Sequence, residues 1–147
     1  MAEGLKTWIQ VKKSWYIVFF QLPWLPEFLI GQSGAAIIKR VFYDMAVDKT
    51  NFTPDILEAY RANAALPGAL TAMINYYRAA TRGTDFARYR RGVVEPITTP
   101  TLLIWGEADT ALGVELTQHY EGLVTNMTLK RLPNVSHWVQ QEAPSLV

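Results

Sequence analysis

The chain has 147 residues, 50% of them hydrophobic, and 14 Lys and Arg against 13 Asp and Glu for a formal net charge of +1. That near-neutral balance argues against an electrostatic nucleic-acid binder, and the length suits one ordinary domain. There is no cysteine, which excludes disulfides and thiolate metal sites, and the two isolated histidines do not make a metal site.

The start, Met1-Ala2-Glu3-Gly4, has no signal-peptide pattern, and the expected location is cytoplasmic. The first ninety residues read as helical. One helix is predicted from about Leu5 to Gln21 and a second from Pro26 to about Tyr43. The apolar stretch Trp15 to Trp24 is interrupted by Gln21 and Pro23 and is too short to span a bilayer, which takes about 20 apolar residues. It reads instead as a buried helix or a substrate wall. A third helix begins after Thr53, which serves as its cap, with Pro54 in the first turn and Asp55 suited to the helix dipole. A fourth runs from about Gly68 to Thr81. Arg82, Arg88, Arg90 and Arg91 form a local basic cluster, read as a solvated linker face. Gly92 to Pro100 then links the helical part, residues 1–92, to a second part, residues 93–147.

The second part changes period. Leu102-Leu103-Ile104-Trp105 is a continuous apolar run bounded by Pro100 and Gly106, which fits a strand buried on both faces. Asp109 follows in the loop beyond its carboxyl end, where open α/β sheets place functional groups. A helix is predicted over Leu112–Glu121, with His119 inside it as a structural or exposed group. Taken alone, Asp109 reads as a cap for that helix. Met127 to Leu132 alternates apolar and polar residues, so it reads as a strand, broken by Pro133 and Asn134. Val135 to Trp138 is a loop, and Gln140 to Pro144 opens another helix. A lone loop histidine such as His137 is usually a surface group. Two consecutive strand–loop units ending in Asp and His change that reading, because an acid there can hold the imidazole tautomer a base needs. The layout predicts Asp109 and His137 within hydrogen-bond reach.

At these residues the chain resembles the epoxide hydrolases of the α/β-hydrolase family. The pattern is Pro-Thr-Leu-Leu-Ile-Trp-Gly-Glu-Ala-Asp over 100–109 and Ser-His-Trp-Val-Gln-Gln-Glu-Ala-Pro over 136–144. Upstream, Ser14 to Glu27 looks like the first cap helix of the epoxide hydrolase 4-like group, and Pro67 to Arg78 like the cap segment that supplies a ring-opening tyrosine. The resemblance implies an α/β fold: the C-terminal portion of an α/β-hydrolase, a helical cap over 1–92 followed by the last strand–helix–strand unit of the core over 93–147. It implies hydrolysis of an epoxide to a vicinal diol through an aspartyl ester. In that scheme Asp109 orients His137, the base that activates water, and Tyr77 protonates the epoxide oxygen. A phenol is acid enough to serve a developing alkoxide, and the covalent ester divides one hard step into two. Tyr76 is the neighbour that could be confused with Tyr77. Where the family places a second cap tyrosine this chain has Phe19, and Tyr16 lies one turn earlier; Trp15, Tyr16, Phe19 and Trp138 are the expected substrate contacts. No cofactor and no metal is implied.

The nucleophile is missing from the sequence. Neither a His-Gly-x-Pro oxyanion motif nor a Gly-x-Ser-x-Gly elbow occurs. Asp44, Asp48, Asp55 and Asp85 do not follow a buried strand with the small residues an elbow needs. The chain is therefore expected to be inactive alone. Its expected partners are a small apolar epoxide-type substrate in the full-length parent, and either further copies of itself or the missing N-terminal half. Apolar surface is expected around Leu102, Ile104, Trp105 and the Trp15–Trp24 stretch, since a parallel sheet needs cover on both faces. Two other readings share much of this layout. One is another α/β-hydrolase, such as a haloalkane or haloacetate dehalogenase with Trp15 or Trp24 on the halide. The other is a non-catalytic fragment acting only through chain–chain association.

Overall fold

The computed structural model describes residues 13–83, 88, 91–92, 95–118 and 120–147. The chain divides into two compact units. One takes Trp15–Asp44 and Phe52–Gly92; the other takes Met45–Asn51 and Val93–Val147, together with Lys13 and Ser14.

The helical unit opens with α1, Trp15–Phe19. Tight turns from Gln21 N to Val18 O and from Leu22 N to Phe19 O end it before Gln21, and residues 5–12 of the expected first helix lie outside the described residues. The expected second helix is two. α2, Leu25–Ala35, opens with Pro26 and Glu27 but carries non-helical angles at Gln32, Ser33 and Gly34, and α3 runs Ile37–Met45. Ser33, Gly34 and Ala35 all sit at positive φ, and Arg61 Nη1 donates to the Gly34 carbonyl at 2.7 Å, drawing that acceptor out of the helical ladder. α4, Pro54–Ala64, starts where the sequence places it: Thr53 is the cap, and its Oγ1 accepts from Ile56 N at 3.4 Å. α5, Ala69–Arg82, matches the fourth predicted helix to within one residue at each end. Small residues let the helices approach: Ala35 and Ala64 are buried alongside Leu57, Ile74 and Pro26.

In the α/β unit, β1 (Thr101–Gly106) pairs in parallel with β2 (Met127–Leu132), from Thr101↔Met127 to Gly106↔Leu132. Among the described residues β1 has no other strand partner. The connection between them is not the predicted helix Leu112–Glu121. Among the described residues of this connection one 3₁₀ turn forms, Val114–Thr117. Gly113 and Gln118 flank it in extended conformation. Thr117 Oγ1 donates to Val114 O at 2.7 Å and accepts from Arg131 Nε and Nη2 at 3.0 and 2.6 Å, which pins the turn to β2. His119, read as part of that helix, lies outside the described residues. After β2 come α6, Val139–Glu142, and a 3₁₀ turn, Pro144–Leu146, in place of one helix opening over Gln140–Pro144. Leu132, Val135 and Ala143 form the core, with Ile104 and Val139 packed on it. Ile104 packs on this core, whereas Leu102, two residues earlier on the same face of β1, stays 57% exposed. Of the apolar surface expected at Leu102, Ile104 and Trp105, Leu102 is exposed and the other two are half-buried. In the helical unit, Trp15, Val18, Leu22 and Trp24 are exposed. No helix among the described residues is long and apolar enough to cross a membrane.

Candidate active site

Parallel pairing brings the carboxyl ends of β1 and β2 side by side, and the hydrogen bonding continues past them. Glu107 N donates to Leu132 O and Ala108 N to Val135 O, both at 3.0 Å. The two loops are zipped together at Gly106, where a Cβ would run into the backbone carbonyls of Val135 and Ser136. Only glycine fits this close approach. The loop after β1 therefore delivers Asp109, and the loop after β2 delivers His137, to one point.

There His137 Nδ1 lies 2.7 Å from Asp109 Oδ2, in the reach the sequence layout predicts. The other carboxylate oxygen, Oδ1, accepts from Ala111 N at 2.7 Å and Leu112 N at 2.9 Å. Asp109 thus closes a local turn and contacts the histidine, while the helix Leu112–Glu121 that it was expected to cap does not form. Lys13 Nζ donates to the Asp109 carbonyl oxygen at 3.2 Å, a contact 96 residues apart that no local sequence signal announces. The Asp109 side chain is only 7% exposed, and that of His137 is 32% exposed. Burial alone would raise the Asp109 pKa. The hydrogen bond from His137 and those from Leu112 and Ala111, with the imidazole's charge, outweigh it and leave the pKa below the ordinary carboxylate value. A carboxylate held ionised against Nδ1 favours a proton on that nitrogen, and in the neutral ring this leaves Nε2 as the acceptor. Trp138 sets its ring edge-on to the imidazole, with centroids 4.8 Å apart.

The sequence motif also contains Glu142, whose role the reading of the residues left unassigned. It is buried, and its carboxylate accepts from Ser136 and from the Val47 and Asp48 amides.

In the helical unit the structure sets the candidate Tyr16, and Phe20 beside it, against Tyr77. Its ring meets Tyr16 at 5.8 Å and Phe20 at 5.0 Å. Phe19 touches Phe20 and Trp15 instead, and Trp15 is 65% exposed. Tyr76 is 75% exposed, whereas Tyr77 is half-buried, so the two adjacent tyrosines are not equivalent. Burial, with a smaller contribution from Tyr76, pushes the Tyr77 phenol above its usual pKa and keeps it protonated. Arg78, the next residue, fastens the neighbourhood. Its guanidinium donates to both Glu27 oxygens at 2.6 and 3.1 Å, to Phe20 O at 2.9 Å and to Leu22 O at 2.7 Å. These bonds hold the Glu27 carboxyl below its ordinary pKa. Among the described residues no group of three or more His, Asp or Glu could hold a metal ion.

A parallel strand pair that carries an acid past one strand and a histidine past the next is an arrangement of the α/β-hydrolase fold. The comparisons with known proteins agree. The chain is similar over nearly its whole length to the C-terminal portion of epoxide hydrolases of the α/β-hydrolase fold. Epoxide hydrolase 4 of Homo sapiens is 35% identical over 143 residues, spanning 94% of this chain and 38% of that protein. Epoxide hydrolase 3 of Mus musculus is 36% identical over 141 residues, spanning 92% and 36%. The crystal structure of Bacillus megaterium epoxide hydrolase in complex with an inhibitor aligns with a TM-score of 0.79 at 25% identity, covering 98% of this chain and 52% of that one. No family model matches. The chain therefore spans well under half the length of the curated relatives it matches.

Proposed function

We propose that this chain is the acid–base and cap portion of an epoxide hydrolase. Residues 1–92 act as the cap and residues 93–147 as the end of the catalytic core, with Met45–Asn51 reaching from the first into the second. The observation that carries the reading is the 2.7 Å contact between His137 Nδ1 and Asp109 Oδ2 past adjacent strand ends. In the complete hydrolase an aspartate from the elbow opens the epoxide and forms an ester. Tyr77, kept protonated by burial, donates to the departing oxygen. His137, oriented by Asp109, takes a proton from water through Nε2, and the hydroxide formed breaks the ester to the diol. Tyr16, Phe19, Trp15 and Trp138 supply apolar contacts for a small epoxide. The exposed edge of β1 and the bare Leu102 suit pairing with the half of the fold that carries the nucleophile, or with another copy of the chain.

The test joins this chain in frame to the nucleophile-bearing part of a related epoxide hydrolase. The joined protein should convert a styrene-oxide-type substrate to its diol, and the 147-residue chain alone should not. His137→Ala should stop turnover at the covalent ester, visible as a mass increment on the protein. Diol formation that survives His137→Ala would overturn the assignment, and halide release from a haloalkane without diol formation would replace it with a dehalogenase.

A further inference from the structure

Glu142 stands out because a carboxylate is costly to bury unless its oxygens are satisfied. Here each oxygen takes two donors. Oε1 accepts from Ser136 N at 3.1 Å and from Ser136 Oγ, and Oε2 accepts from Val47 N at 3.1 Å and Asp48 N at 3.0 Å. Ser136 is fully buried and directly precedes His137. Its Oγ also receives Trp138 N at 3.5 Å, so the residues on both sides of His137 converge on one hydroxyl. Glu142 is placed for this by α6, whose first turn returns Glu142 N to Trp138 O at 3.0 Å. The far side of the clamp is the segment 45–51, where Asn51 Nδ2 adds a bond to Gln141 O at 2.7 Å.

We propose that Glu142 is a positioning residue: its carboxylate clamps Ser136 to the Val47–Asp48 backbone and so holds His137 in register with Asp109. The proposal rests on the dyad reading above. An apolar side chain could fill the same volume, but it could not accept four bonds. Glutamine keeps the shape and presents an NH₂ either to Ser136 or to the two amides, so Glu142→Gln breaks one half of the clamp and leaves packing intact. This separates positioning from bulk.

The imidazole tautomer reports the result. In the 147-residue chain, nitrogen NMR of His137 should show the proton on Nδ1, and Asp109→Asn should abolish that preference. Glu142→Gln should shift the ring toward the Nε2–H tautomer while the circular dichroism spectrum stays unchanged. Ser136→Ala, which removes only the hydroxyl, should act in the same direction and replaces Glu142→Gln if that variant does not fold. In the joined hydrolase, Glu142→Gln should lower kcat by up to about 100-fold with KM little changed, as expected for a misplaced base. A folded variant with the wild-type tautomer would overturn the proposal. A wild-type chain without the Nδ1–H tautomer, or one insensitive to Asp109→Asn, would instead bring down the dyad reading, and this inference with it.

Discussion

The two units hold their candidate side chains by different means. In the α/β unit, Asp109 and His137 are fixed by directional hydrogen bonds from loops zipped together past strand ends, and the core beneath them is small. In the helical unit, Tyr77 is fixed by ring packing on Tyr16 and Phe20, with Arg78 fastening the chain turns around it. A polar constellation fails when one acceptor is changed. A packed aromatic one tolerates loss of a polar atom but depends on the stability of its surroundings. Substitutions should therefore split into those that stop chemistry without unfolding and those that loosen the fold first.

The largest effect should come from Asp109→Asn. The amide keeps the shape of the carboxylate but favours the wrong imidazole tautomer, a change that costs about 10⁴ in kcat in a Ser-His-Asp enzyme. In the joined hydrolase, hydrolysis of the covalent ester should slow by roughly 10³–10⁴-fold, while ester formation continues. Single-turnover kinetics separate the two steps. If ester formation falls as far as hydrolysis, Asp109 supports the fold rather than the base.

The dyad was legible in the sequence because each partner depends on a local event: an apolar run, a break, and one functional side chain after it. β2 falls on the predicted Met127–Leu132, and the Thr53–Pro54 start is likewise local. What was not legible depends on distant partners. The predicted helix over Leu112–Glu121 fails where Arg131, from the next strand, captures Thr117. The predicted helix over Pro26–Tyr43 breaks where Arg61 captures the Gly34 carbonyl, although Gly31 and Gly34 within it were a signal that it could bend. Glu142 was visible as part of a motif, but its role was not, because two of its donors lie 94 and 95 residues away.

Arg78→Ala should give the largest stability loss in the helical unit. It leaves Glu27 and two backbone carbonyls without their donor at a site where the paired side chains are 14% and 18% exposed. Loss of one partner of a well-buried pair costs 3–5 kcal/mol, so about 2–3 kcal/mol is expected at this partly buried one. Denaturant unfolding followed by tryptophan emission measures it. A midpoint unchanged from wild type would mean that the Arg78 fork does not fasten the unit.

Tyr77→Phe sharpens the contrast from the other side. The ring contacts to Tyr16 and Phe20 remain, so stability should change by less than about 1 kcal/mol. Loss of the donor should slow ester formation by about 10²-fold in the joined hydrolase, at the low end of general acid catalysis. Because burial raises the Tyr77 pKa, the wild-type rate should hold through the ordinary tyrosine range near pH 10 and fall only above it. Tyr76→Phe, on the exposed neighbour, should leave the rate unchanged. Equal effects at both positions would remove the distinction that burial makes between them.

The smallest effect should be at Glu58, which bridges Lys39 of α3 at 3.1 Å and Arg61 of α4 at 2.5 Å. Its hydrogen bonds to Arg61 and Lys39 bring its pKa down to about 2, against about 4.3 for a free glutamate. A depressed folded-state pKa contributes stability that is complete above the unfolded value and is lost as pH falls through the folded one. The window for Glu58 is therefore from about pH 4.3 down to about 2. Asp109 has the same sign, with a window opening below its unfolded value of about 3.9. Salt distinguishes the two. The Glu58 side chain is 47% exposed, whereas that of Asp109 is 7% exposed, and mobile ions screen the open pair far more than the covered one. Glu58→Gln should thus move the unfolding midpoint slightly at low ionic strength and not at all in 1 M salt, while the shift produced by Asp109→Asn should persist at both. A Glu58→Gln shift that survives 1 M salt would mean that its link between α3 and α4 is a packed element of the helical unit, and the contrast between hydrogen-bonded and packed units would have to be redrawn there.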